Sequence, residues 1–133
     1  MNQQINLVVP LSLKKMPEHL QMLYLELTRK CLEEFPNVIN CPNTDKNFAS
    51  IKVPLGKKKS EIFVQFKPKR DSVVIELHID LDKVIDPQNQ CERVPAKDYS
   101  HWTRFCVEET EYDLEYFMGL IRQSYKEVSS KHM

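Results

Sequence analysis

Apolar residues recur along this chain at two different periods. Leu20, Leu23, Tyr24, Leu27, Cys31 and Phe35 follow the i, i+3, i+4, i+7 spacing of one buried helix face. Met16-Pro17-Glu18 places a proline near the start of that helix, and Pro36 stops the pattern. A second stripe, Leu114, Phe117, Met118, Ile121, Tyr125 and Val128, predicts another long helix, with Thr110 as its N-cap and Asp113 returning a hydrogen bond in the manner of a capping box. Between the two stripes the period falls to two. Short runs at 38–41, 48–53, 61–67, 73–81 and 103–107, each bounded by Pro, Gly, Asn, Asp or Lys, predict strands.

The fourth run alternates most strictly. Val73, Ile75, Leu77, Ile79 and Leu81 point one way, while Val74, Glu76, His78 and Asp80 point the other, the signature of a strand with one wet face. The third run agrees, with Ile62, Val64 and Phe66 on one side and Glu61, Phe63, Gln65 and Lys67 on the other, and the 67–71 segment joins the two as a hairpin. Residues 82–101 carry Pro87 and Pro95 and form a long connecting loop, of a length that calls for a binding role or mobility. The expected fold is therefore α+β: an antiparallel sheet of about five strands with the N-terminal and C-terminal helices packed on one face. Residues 1–15, in which Pro10 interrupts a loose alternation, read as an N-terminal arm or edge strand, and 16–133 as a single domain.

Composition narrows the function classes. Nineteen basic and nineteen acidic residues leave no net charge, so any polyanion binding has to come from a local patch. Four widely spaced cysteines without a C-x-x-C pair point to free thiols and a reducing, cytoplasmic setting. No apolar run is long enough for a membrane span, and the first ten residues lack the basic head and apolar core of a signal peptide. Two glycines cannot build a phosphate-cradling loop, and no nucleophile-elbow or dinucleotide motif is present. No cofactor or catalytic residue is assigned, and the expected role is non-enzymatic.

Three constellations remain. Glu76, His78 and Asp80 would stand in a row on the open sheet face, where they could bind a divalent metal or move a proton; alternation on a solvated strand produces the same row without any function. Cys91, His101 and Cys106 match no zinc-site spacing. The basic residues cluster: Lys57, Lys58, Lys59, Lys67, Lys69 and Arg70 flank the third strand, and with Phe63 exposed beside them bases could stack while lysines hold phosphates. These seven residues are the candidate nucleic-acid site, against the plainer account of two solvated loops. A small metal-dependent enzyme on the open face, or a structural domain that forms a homodimer through its unpaired edge or its exposed face, stay open as alternatives.

The stretches Asn47-Phe-Ala-Ser-Ile-Lys-Val-Pro54, Asp98-Tyr-Ser-His-Trp102 and Asp113-Leu-Glu-Tyr-Phe-Met-Gly-Leu-Ile-Arg-Gln-Ser-Tyr125 resemble the domain-of-unknown-function family 5655. The similarity covers about residues 18 to 128, and Asp98, His101, Trp102, Arg122 and Tyr125 are its motif residues here. Members of that family often end larger proteins with restriction-nuclease-like or other DNA-modifying domains. The resemblance therefore implies an accessory or recognition module whose partner is nucleic acid or a DNA-acting protein. After Trp102 the chain goes directly to Thr103-Arg104-Phe105, where the family pattern has a glycine-rich turn.

Overall fold

The computed structural model describes residues 16–35, 38–43, 48–56, 59–108 and 112–130. The N-terminal arm, Lys57, Lys58 and Thr110 lie outside these residues. Helix α1 spans Glu18–Glu34 and buries Leu20, Leu23, Tyr24, Leu27 and Cys31, the face its periodicity marked. Pro17 stands at its N-cap, where no amide is needed, and its carbonyl accepts from Leu20 and Gln21. Helix α2 spans Leu114–Ser130 and buries Phe117, Met118, Leu120, Ile121, Ser124 and Val128. Its cap is Asp113 rather than Thr110: the Asp113 carboxylate accepts from the Tyr116 amide at 3.1 Å, and Tyr112 and Asp113 are already outside the helix.

The strands are β1 (Ile39–Asn43), β2 (Phe48–Pro54), β3 (Ser60–Pro68), β4 (Val73–Leu77), β5 (Glu92–Arg93) and β6 (Thr103–Val107). They form one sheet in the order β1-β2-β3-β4-β6-β5, and every neighbouring pair is antiparallel. The sheet thus has the five strands expected plus β5, a two-residue rung on β6 too short to leave a periodic signal. Both helices cover one face, which gives the α+β architecture. Tyr24 of α1 meets Phe66 of β3 edge-on at 5.9 Å, and Phe117 of α2 lies 5.1 Å from Phe105 of β6. Ile51, Val64 and Leu77 form a fully buried row beneath them.

Two departures from strict alternation shape the molecule. Ile51 pairs with Val64 but Lys52 pairs with Ile62, so Phe63 is an extra residue in β3, a β-bulge. The bulge turns Phe63 from the open face into the core, where its ring meets Phe35 at 5.2 Å and Tyr125 at 5.3 Å, both edge-on. The second departure is that β4 stops at Leu77 instead of continuing to Leu81; Ile79 is still buried, but Leu81 opens a short 3-10 turn, Leu81–Lys83.

The face away from the helices is also drier than alternation implies. Ser50, Gln65 and Glu76 lie opposite one another across β2, β3 and β4 and are 4%, 8% and 5% exposed. They are satisfied laterally: Gln65 donates to Ser50 Oγ at 3.2 Å, and Lys67 reaches Glu76 at 2.8 Å.

Candidate functional site

The β3–β4 ladder pairs Pro68 with Val73 through to Val64 with Leu77, so the next rung would join Phe63 to His78. The Ser124 hydroxyl of α2 takes its place, accepting from the His78 amide at 3.0 Å and donating to the Phe63 carbonyl at 2.5 Å. Beyond this insertion the strands part. On the other side of β4, Thr103 donates its hydroxyl to the Ile79 carbonyl at 2.7 Å, which holds the departing chain against β6. The result is a cleft of about 520 Å³ at the end of the sheet, between Ile62 and the His78–Asp80 segment, with Lys52 and Trp102 on its walls.

The aromatic wall is a stacked pair. The His78 and Trp102 ring centroids are 3.5 Å apart with planes inclined by 26°, and His101 meets the indole at 5.6 Å and 72°. Trp102 shields His78, which is 7% exposed, while the indole itself is half-buried and His101 is exposed. The polar lining carries both signs. Lys83, on the 3-10 turn, bridges to Glu127 of α2 at 3.0 Å. Asp80 accepts from Arg93 at 3.1 Å and from the Asp82 amide at 2.9 Å, and these bonds, Arg93 foremost, hold its carboxyl below the usual carboxylate range.

The structure distributes the residues singled out in the sequence. Phe63 is fully buried, so the bulge removes it from any stacking surface. Lys59 is exposed in the β2–β3 hairpin, which closes through the Leu55 amide and the Lys59 carbonyl at 2.8 Å, with Gly56 at φ +142°, a conformation L side chains rarely adopt. Lys69 and Arg70 are exposed in the β3–β4 hairpin, at the opposite end of β3. Nine residues of strand separate the two hairpins by roughly 30 Å at about 3.3 Å per residue, so they do not form one patch. Lys67 lies between them, engaged with Glu76. The row Glu76, His78, Asp80 does not converge either: β4 ends between its members, and Glu76 and Asp80 are committed to Lys67 and Arg93. Among the described residues no group of three or more His, Cys, Asp or Glu side chains could hold a metal ion.

The motif residues in α2 have architectural roles. Arg122 forks onto Glu34 of α1 at 2.5 and 2.7 Å and reaches Glu115 at 2.8 Å. The Glu34 pair, foremost through that hydrogen bond, holds the Glu34 carboxyl below its usual range. Tyr125 stacks on Phe35 at 4.4 Å. Asp98 is exposed on a second 3-10 turn, Lys97–Tyr99, which leads to His101 and Trp102.

The long 82–101 connection is tied down. Gln123 of α2 exchanges two hydrogen bonds with the Ile85 backbone, at 2.7 and 2.8 Å. Tyr116 donates its hydroxyl to Asp86 and accepts from the Gln88 amide at 2.9 Å, while Asp86 also accepts from the Cys91 amide at 2.8 Å. This clamp fixes the loop that delivers Trp102 to the cleft. The sequence assigns none of the cleft residues Lys52, Lys83 and Glu127 to a site. The missing signal is the long-range Ser124 insertion that opens the cleft.

The solved structure of Deinococcus radiodurans protein DR2400, a domain of the unknown-function family 419, is similar to this chain with a TM-score of 0.60 and 18% identity over 82% of this chain and 80% of that one. At that identity the likeness establishes the fold. No protein-family model matches the sequence, and no curated protein matches it. No helix among the described residues is long and apolar enough to cross a membrane.

Proposed function

We propose that this protein is a non-enzymatic binding module for a polyanion, with nucleic acid as the partner, serving as an accessory to DNA-acting proteins. The observation that carries the reading is that Lys52 and the half-buried Trp102 ring line one cleft at the β2–β3 hairpin end of the sheet. Exposed Lys59 stands on that hairpin, and Lys57 and Lys58 precede it in the sequence. Cations beside an aromatic surface suit a ligand that offers phosphates and flat rings together. The resemblance to a family that accompanies DNA-modifying domains supports the same partner. Lys69 and Arg70, at the far end of β3, fall outside this interface.

Binding through phosphates weakens steeply with salt, because each neutralised phosphate releases condensed counterion. The K57E/K58E/K59E variant is expected to retain its fold, since these residues lie between strands, and to lose binding to labelled DNA and RNA at low salt. Its residual salt dependence should fall by about one unit of log–log slope per lysine that touched a phosphate. No binding by the wild type at about tens of micromolar, or binding indifferent to the triple substitution, would refute the proposal and favour a protein partner.

A further inference from the structure

We infer that Lys83 is a phosphate-binding arm of the cleft, held by Glu127 in the free protein and transferred to a phosphate of the bound strand. This rests on the polyanion reading and deepens it, naming a further cation of the site and the carboxylate that keeps binding in check.

Lys52, Lys83 and Glu127 line the same cleft. The backbone that carries Lys83 is fixed from both sides. Before it, the Asp80 side chain caps the 3-10 turn at the Asp82 amide, the Asp80 carbonyl accepts from the Lys83 amide at 2.9 Å, and Arg93 bridges Asp80 and Asp82 at 3.1 and 2.9 Å. After it, Gln123 of α2 clamps the Ile85 backbone. The Lys83 side chain, by contrast, is 62% exposed, and its ammonium donates to Glu127 at 3.0 Å. A firm base with a long solvated arm lets the ammonium exchange one oxygen for another without disturbing the fold.

Stability gives a poor account of Glu127. It lies in the last turn of α2, which holds no basic residue, and a carboxylate there faces the negative end of the helix dipole. Ion pairs as solvated as this one contribute little to stability. What the pair does is neutralise a cation of the cleft. The other acidic residues of the lining are Glu61 and Asp80, and Asp80 is itself neutralised by Arg93. A strand already engaged at Lys52 and the neighbouring hairpin presents its next phosphates to Lys83 at high effective concentration, so the exchange does not require a stronger single contact. Glu127 opposes binding twice over, by occupying the Lys83 ammonium and by repelling the incoming phosphate.

Glu127→Gln removes the charge but keeps the length and helix propensity of the side chain, so the full-length variant should unfold at the same urea concentration as the wild type or above it. In anisotropy titrations at low salt with a labelled single-stranded oligothymidine, it should bind about two- to fivefold more tightly than the wild type. Lys83→Ala should bind more weakly and lower the log–log salt slope by about one. The double variant separates the two effects of the carboxylate: with Lys83 absent, Glu127→Gln should gain less affinity than it does with Lys83 present. Unchanged or weaker binding by a folded Glu127→Gln variant, or an equal gain with and without Lys83, would overturn the arm, as would an unaltered salt slope in Lys83→Ala. The polyanion reading survives those outcomes if K57E/K58E/K59E still loses binding. No binding by either the wild type or Glu127→Gln would overturn the arm and the polyanion reading together.

Discussion

Ser124 is fully buried, and its hydroxyl is the partner of both the His78 amide and the Phe63 carbonyl. Ser124→Ala would leave a donor and an acceptor unpaired in the core, each costing about 1–3 kcal/mol, so urea denaturation should show a loss of about 3 kcal/mol. Ser129 provides the comparison. Its half-buried hydroxyl bonds only to carbonyls of its own helix, and Ser129→Ala should stay within about 0.5 kcal/mol of the wild type. Equal losses in the two variants would show that the inserted hydroxyl has no special weight. The cysteines grade just as sharply by environment. Cys106 is exposed; the Cys91 thiol is pushed up to about 12 by burial and by Asp86; and fully buried Cys31 is raised by burial and then by Glu34. Since the thiolate is the reactive form, iodoacetamide should label Cys106 first, Cys91 slowly and Cys31 only on unfolding. Peptide mass mapping reads that order, and fewer than four titratable thiols in denaturant would overturn the disulfide-free expectation.

At the scale of elements, the two helices were legible because a 3.6-residue stripe is a local property, complete within each segment. Strand limits were not, because they depend on partners elsewhere. β4 ends at Leu77 on account of hydroxyls from Ser124 and Thr103, and the bulge at Phe63 exists only relative to the register of β2. The 82–101 connection looked like a binding or mobile loop; its attachment to α2 through Asp86 and Gln123 is a tertiary fact that its own composition does not disclose. That attachment should depend on pH. Burial pushes the Asp86 carboxyl up, but hydrogen bonds from Tyr116, Cys91 and Gln90 outweigh it and hold the group below its ordinary range. A carboxyl depressed in the folded state stabilises that state above its unfolded pKa, and the contribution disappears as the pH falls through the folded value. Protection of the Gln88 and Cys91 amides from hydrogen exchange, corrected for intrinsic rates, should therefore drop below about pH 4. Asp86→Asn should show weaker protection at neutral pH and little further change on acidification; protection in the wild type that ignores pH would refute the clamp.

For the whole molecule, the α+β class and the placement of both helices on one face followed from the order of periods along the chain. The distribution of charge did not, because neighbours in sequence around β3 are carried to opposite ends of the sheet. Two hairpins roughly 30 Å apart are screened from each other at a physiological Debye length of about 8 Å, so each acts on its surroundings alone. The Ser124 insertion also bears on how fast the molecule is made and unmade. It joins residues 61 and 46 positions apart in sequence, so its loop-closure entropy is met before the contact returns anything, and it belongs among the last events of folding. A contact absent from the transition state leaves the refolding rate untouched and sets the rate of escape from the native basin. In stopped-flow measurements Ser124→Ala should accordingly refold at the wild-type rate and unfold about a hundredfold faster, the equivalent of its equilibrium loss. The hydroxyl that opens the cleft is, in kinetic terms, a latch on the finished fold.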